Sequence, residues 1–86
     1  MREVKWNSSK NRKLKETRGV SFEDILRSRF IGLYEHPKRK HQFLLLYEYE
    51  GYVWVIPCPI RKDSIFLKTL YPSRKFTRKY RKGEIA

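Results

Sequence analysis

Apolar residues concentrate in the second half of the chain, in two neighbouring runs. QFLLLYEYE (42–50) and YVWVIPCPI (52–60) are rich in aromatic and β-branched residues, and no lysine or arginine falls between His41 and Ile60. Both runs read as strands. Glu50-Gly51 between them suits a two-residue hairpin turn. Pro57 and Pro59 lack a backbone donor, so they end regular pairing or lie on a sheet edge. RKDS (61–64) is the next turn. SIFLKTLY (64–71) then alternates as a strand does, with Ile65, Leu67, Thr69 and Tyr71 on one face and Phe66, Lys68 and Leu70 on the other.

The first half is polar and reads as helices. Residues 2–6 suit a short strand ending at Trp6. Asn7, Ser8 and Ser9 offer N-caps for a helix over 8–17, whose apolar face is almost Leu14 alone. Gly19 suits the left-handed position that ends a helix. In GVSFED (19–24), Ser21 caps a second helix with Asp24 as its capping-box partner, and Val20 and Ile25 form a hydrophobic staple. Glu23 and Asp24 lie where the helix dipole favours anions. The motif is therefore a helix stop followed at once by a helix start. Ser73 caps a last helix over 74–82, with Phe76 and Tyr80 one turn apart as its apolar seam. The expected fold class is α+β: two N-terminal helices packed on an antiparallel β-meander of three to four strands, with a short C-terminal helix. Residues 1–86 form one domain, too short for two cores.

Charge changes this picture from a small scaffold to a polyanion binder. The chain has 21 Lys and Arg against 9 Asp and Glu, a net charge of +12. The cations cluster in 10–18 (Lys10, Arg12, Lys13, Lys15, Arg18), in 38–40, and in 74–82 (Arg74, Lys75, Arg78, Lys79, Arg81, Lys82). One such run is usually a solvated helix face. Three runs with little compensating acid point to a polyanion or an acidic protein as partner. Arg74 and Lys75 oppose the dipole of their own helix start, a penalty that a bound phosphate would reverse. No apolar run reaches transmembrane length and MREVKWN is no signal peptide, so a cytoplasmic location with no membrane partner is expected. Cys58 is the sole cysteine, which excludes an internal disulfide and a cysteine zinc site.

Candidate chemistry is sparse. Lys68 lies mid-strand in this reading. It either blocks edge-to-edge pairing or projects onto a concave sheet face to neutralise a phosphate. His36 precedes a proline in turn or extended backbone. It is the leading acid–base candidate, although a lone loop histidine is more often polar surface. Tyr80 is seam, with a hydroxyl that can reach a phosphate beside Arg74, and Glu23 is a helix-start charge first and an acid–base group second. Trp6 and Trp54 read as core, and Cys58 as an inert buried thiol. No phosphate loop, nucleophile elbow, paired-carboxylate site or zinc signature is present, so neither metal nor cofactor is expected. RNA carries its own nucleophile, the 2′-hydroxyl, and its cleavage needs positive charge on the phosphate and acid–base help. Lys10, Lys13, Arg18, Lys75, Arg78 and Lys79 are the RNA-binding candidates. His36, Lys68, Arg74 and Tyr80 are the catalytic ones.

On these residues the chain resembles the BrnT family of type II toxins, which are similar in fold to the RelE/ParE group. KWNSSK carries an aromatic at Trp6 with Lys10 four residues on. Thirteen residues after Trp6 the glycine of GVSFED matches the family's HGVSFEE, and SRKFTRKY resembles the family's ARRATRRE. Arg18 stands where many members carry histidine, and Leu14 where many carry asparagine. The resemblance implies an endoribonuclease that arrests translation. It also implies a cognate antitoxin, DNA-binding and encoded by a neighbouring gene, through which operator DNA is met. The rival readings are a toxin of similar fold that poisons a protein such as DNA gyrase, and a non-catalytic RNA-binding module.

Overall fold

Hairpin geometry organises the molecule. In the structure, a computed structural model that describes residues 3–85, β3 (Gln42–Tyr49) and β4 (Tyr52–Pro59) pair antiparallel from Tyr49↔Tyr52 to Gln42↔Pro59. Glu50 and Gly51 join them with φ of 51° and 80°. Positive φ at both central residues is the twist-compatible hairpin turn. β2 (Arg29–Glu35) flanks β3 and β6 (Tyr71–Pro72) flanks β4, so the antiparallel sheet runs β2-β3-β4-β6. β6 pairs with Trp54 and Val55 alone, which leaves the stretch of β4 holding Pro57 and Pro59 without a ladder partner on that side. The two prolines sit on an edge, as their missing donors require.

The helices cover the two faces of this sheet. α1 (Ser8–Arg18) and α2 (Phe22–Leu26) bring Leu14, Val20, Phe22 and Ile25 against Ile56 and Cys58, with Trp6, Phe43, Leu45 and Tyr47 around them. α3 (Arg74–Arg81) lays Phe76 and Tyr80 on the other face, over Leu44, Leu46, Val53 and Val55. Val20 and Ile25 are both buried in the first of these clusters.

Several expectations need correcting. β5 spans Ser64–Leu67 and stops there. Leu67 and Leu70, three residues apart, are both buried in one cluster, which a strand of period two cannot achieve. Lys68 is therefore not mid-strand: it lies exposed in the segment between β5 and β6, with its backbone N–H donating to the Pro57 carbonyl at 3.2 Å. β5 is also outside the meander, since it pairs parallel with β1 (Glu3–Trp6) as a separate two-stranded sheet. The expected strand at 2–6 begins at Glu3 here, because Arg2 lies outside the described residues. α2 is a helix of five residues, little more than a turn. β2 was not foreseen. A register shift between Phe30 and Gly32 breaks its alternation, and Phe30 and Leu33 are 54% and 47% exposed on its outer edge.

Candidate functional site

Above its buried apolar residues, the corner between α1 and α2 is fixed by a network of hydrogen bonds. Asn7 caps α1 by accepting from the Lys10 N–H at 2.8 Å, and Gly19 ends it with φ of 75°. Ser21 Oγ accepts from the Asp24 N–H, and Asp24 Oδ2 accepts from the Ser21 N–H at 2.9 Å, which completes the capping box. Asn11 reaches across from α1: its Oδ1 accepts from the Phe22 N–H at 2.8 Å and its Nδ2 donates to Glu23. Lys15 Nζ pairs with Asp24 Oδ2 at 2.9 Å. That bond, reinforced by the Ser21 N–H, holds the Asp24 carboxyl down at about 2. Glu23 and Asp24 are thus committed to the corner, and Lys15 with them. Lys10, Lys13 and Arg18 are exposed and make no ion pair among the described residues.

α3 is fastened differently. The Ser73 N–H donates to the Val53 carbonyl at 2.9 Å, and the Val53 N–H donates to Thr77 Oγ1 at 2.9 Å. Thr77 is 3% exposed, and its hydroxyl donates in turn to the Ser73 carbonyl at 2.6 Å. Both backbone groups of Val53 that would otherwise face an empty edge are satisfied by this joint. Farther along, the Tyr80 hydroxyl donates to Glu48 Oε1 at 2.8 Å, and the Arg81 guanidinium donates to the Gly51 carbonyl at 3.1 Å. The Glu48 bond raises the Tyr80 pKa, so this phenol stays protonated at neutral pH and is a weaker acid than a free tyrosine. With that seam turned inward, Arg74, Lys75 and Arg78 are exposed, Lys79 is half-buried with its ammonium 5.9 Å from the centre of the Phe76 ring, and no acid sits in the first turn. None of these four cations makes an ion pair among the described residues.

The candidate residues fall into separate groups. Lys10, Lys13 and Arg18 lie on the α1 side of the sheet and Arg74, Lys75, Arg78, Lys79 and Tyr80 on the α3 side. The two sides meet at the hairpin tip. Arg18 lines a cleft against Glu50 and Tyr52 from one side, and Arg81 holds Gly51 from the other. His36 sits at the opposite end of the sheet, where β2 hands over to β3. The eight residues of β3, about 23 Å of strand, separate it from the tip. His36 Nδ1 accepts from the Lys38 and Arg39 N–H groups at 3.1 and 3.2 Å, which places the proton of the neutral ring on Nε2. Lys68, held at Pro57, is nearer to that end than Arg74, which follows the Ser73–Val53 joint. Cys58 is buried, and burial pushes its thiol up to about 11, in keeping with an inert role.

Sequence reasoning did not single out Asn11, Glu48 or Thr77. Glu48 carried a signal: it shares strand parity with Leu44 and Leu46, so it had to face whatever covers them. Asn11 and Thr77 carried none, because each answers a backbone group that only the tertiary fold leaves open.

The fold defines a class: a small α+β protein with a four-stranded antiparallel sheet, an N-terminal helical corner on one face and a cationic C-terminal helix on the other. The same fold is found in the crystal structure of the Brucella abortus ribonuclease toxin BrnT, with a TM-score of 0.54 over 85% of this chain and 97% of that one, at 12% identity. At that identity the likeness is one of fold, and it bears out the resemblance drawn from the sequence at that level. No protein-family model matches the chain, and no curated protein matches it. Among the described residues no helix is long and apolar enough to cross a membrane.

Proposed function

We propose that the chain is the toxin of a type II toxin–antitoxin pair and acts as a metal-independent endoribonuclease in the cytoplasm. The observation that carries this reading is α3. A buried polar joint fixes one face of the helix to the sheet and leaves Arg74, Lys75 and Arg78 exposed, with Lys79 half-buried beside them, all four without acidic partners among the described residues. Unneutralised cations on a rigid element are suited to phosphates. The fold shared with a protein described as a ribonuclease toxin supports the same reading.

In this proposal the RNA 2′-hydroxyl loses its proton to solvent and attacks the adjacent phosphorus, the P–O5′ bond breaks with the 5′-oxygen taking up a proton, and a 2′,3′-cyclic phosphate remains. Arg74 and its neighbours on α3 stabilise the added charge of the pentacovalent state. Tyr80 would give its proton to the leaving oxygen only by turning its hydroxyl away from Glu48. Lys10, Lys13 and Arg18 hold the strand on the α1 side, and Lys68 is a second phosphate contact. His36 would contribute through Nε2, at a distance along the sheet that requires the RNA to span it. A cognate antitoxin would neutralise the same cations with an acidic surface, and operator DNA would be met through that complex.

The test is purified protein with RNA in excess chelator. Cleavage is expected, and Arg74→Ala should lower its rate on the order of a hundredfold while leaving the melting temperature unchanged. Intact RNA together with growth arrest on expression would overturn the reading in favour of a protein target.

A further inference from the structure

Beside the hairpin tip is a cleft that the cationic helix does not use. Its volume is about 370 Å³, and its walls are Arg18, Gly19 and Val20 on one side and Tyr49, Glu50, Tyr52 and Trp54 on the other. That volume is within the range of about 300–1,000 Å³ usual for small-ligand sites. We propose that this cleft is a nucleotide subsite selective for guanine, with Glu50 reading the base, the tyrosines and Trp54 bearing its ring, and Arg18 its phosphate. The assignment deepens the ribonuclease reading and rests on it.

Glu50 has a φ of 51°, at the first central position of a turn that favours asparagine, aspartate or glycine. A glutamate there carries local backbone strain, and such strain is typical of functional positions. The turn is also braced, since Arg81 holds the Gly51 carbonyl at 3.1 Å from the α3 side. The carboxylate is therefore presented on a fixed support. Arg18 and Glu50 line one cleft with opposite charges, yet they form no ion pair among the described residues. Both remain available to a ligand that offers an anion at one end and donors at the other.

A nucleotide fits that description, and guanine fits it best. A carboxylate only accepts hydrogen bonds. Guanine presents two adjacent donors, N1–H and N2–H, along its Watson–Crick edge, and the two oxygens of Glu50 can take both. Adenine, cytosine and uracil each set an acceptor beside their donor on that edge, so a carboxylate meets repulsion there. Tyr49, Tyr52 and Trp54 are all half-buried, and Tyr49 and Trp54 already meet edge to face with ring centroids 6.4 Å apart. Such rings supply stacking to any base and leave selection to the carboxylate. Gly19 contributes an open wall: a Cβ there would have nothing within 4 Å.

The experiment is a titration of the full chain, ¹⁵N-labelled, with the 3′-monophosphates of guanosine, adenosine, cytidine and uridine. The indole N–H signal of Trp54 reports the cleft, and that of Trp6, packed on Phe22 in the core, reports the intact fold. The guanosine nucleotide is expected to shift Trp54 and spare Trp6, and to bind about tenfold or more tighter than the other three. Glu50→Gln should abolish that preference with the Trp6 signal in place. Arg18→Ala should weaken all four nucleotides by a similar factor and keep their order. Equal affinities in the wild type, no shift at Trp54, or a guanine preference that survives Glu50→Gln would each overturn the assignment. RNA cleavage without guanine preference would refute the subsite alone. Guanine binding without any cleavage would refute the ribonuclease reading and leave the subsite standing.

Discussion

Gly19 shows how much of this protein hangs on single residues. Its φ of 75° lies in the left-handed region, and the space beside it is empty. Gly19→Ala should therefore cost backbone strain alone, about 1–2 kcal/mol, visible as a lower melting temperature. Ser21→Ala removes the capping box and should cost about 0.5–2 kcal/mol in the same assay. Unchanged melting with lost activity in either variant would make the corner a site and not a scaffold. Asp24 adds a pH signature. Its folded pKa is about 2, below the ordinary 3.8, so its stabilisation is complete above the ordinary value and is lost as pH falls through about 2. Wild-type melting temperatures should drop across that interval more steeply than those of Asp24→Asn. Parallel curves would show that the Lys15–Asp24 pair contributes nothing to folding. This corner was legible in the sequence because Gly19, Ser21 and Asp24 each satisfy a local backbone requirement. Its second lock, Asn11 on the Phe22 N–H, was not, because eleven residues and a change of direction separate the partners.

Elements were legible where residue type and turn chemistry agreed. β3 and β4 followed from their aromatic and β-branched residues, their turn from Glu50-Gly51, and α3 from its cap and the spacing of Phe76 and Tyr80. β2 did not, because the irregularity between Phe30 and Gly32 breaks its alternation and its exposed Phe30 and Leu33 mimic a loop with stray apolar residues. The segment 64–71 failed for the opposite reason. Its alternation is regular, yet tertiary packing buries Leu67 and Leu70 together and draws the Lys68 backbone to Pro57. The joint that fixes α3 gives a test at this scale. Thr77→Val keeps the volume and leaves the buried Val53 N–H unpaired, which should cost about 1–3 kcal/mol in chemical denaturation. A wild-type midpoint would mean that the Thr77 bond contributes nothing to holding the helix.

At the scale of the molecule, the sheet separates two of the three cationic runs. Lys10, Lys13 and Arg18 lie over one face and the α3 cations over the other, and the hairpin tip is where Arg18 and Arg81 approach the same turn. A bound strand that wraps this tip would touch both surfaces. RNA affinity should then fall on the order of a hundredfold or more between about 50 and about 200 mM salt, and less steeply when Arg78 and Lys79 are both replaced by alanine. A flat dependence would remove the phosphates from the account. The central claim, that the substrate's own 2′-hydroxyl is the nucleophile, is tested most directly by an RNA carrying one 2′-deoxy nucleotide at a mapped cleavage site. The account predicts that this bond survives in excess chelator while the all-ribose control is cut to a 2′,3′-cyclic phosphate, and cleavage of the deoxy-substituted bond at an unchanged rate would contradict it.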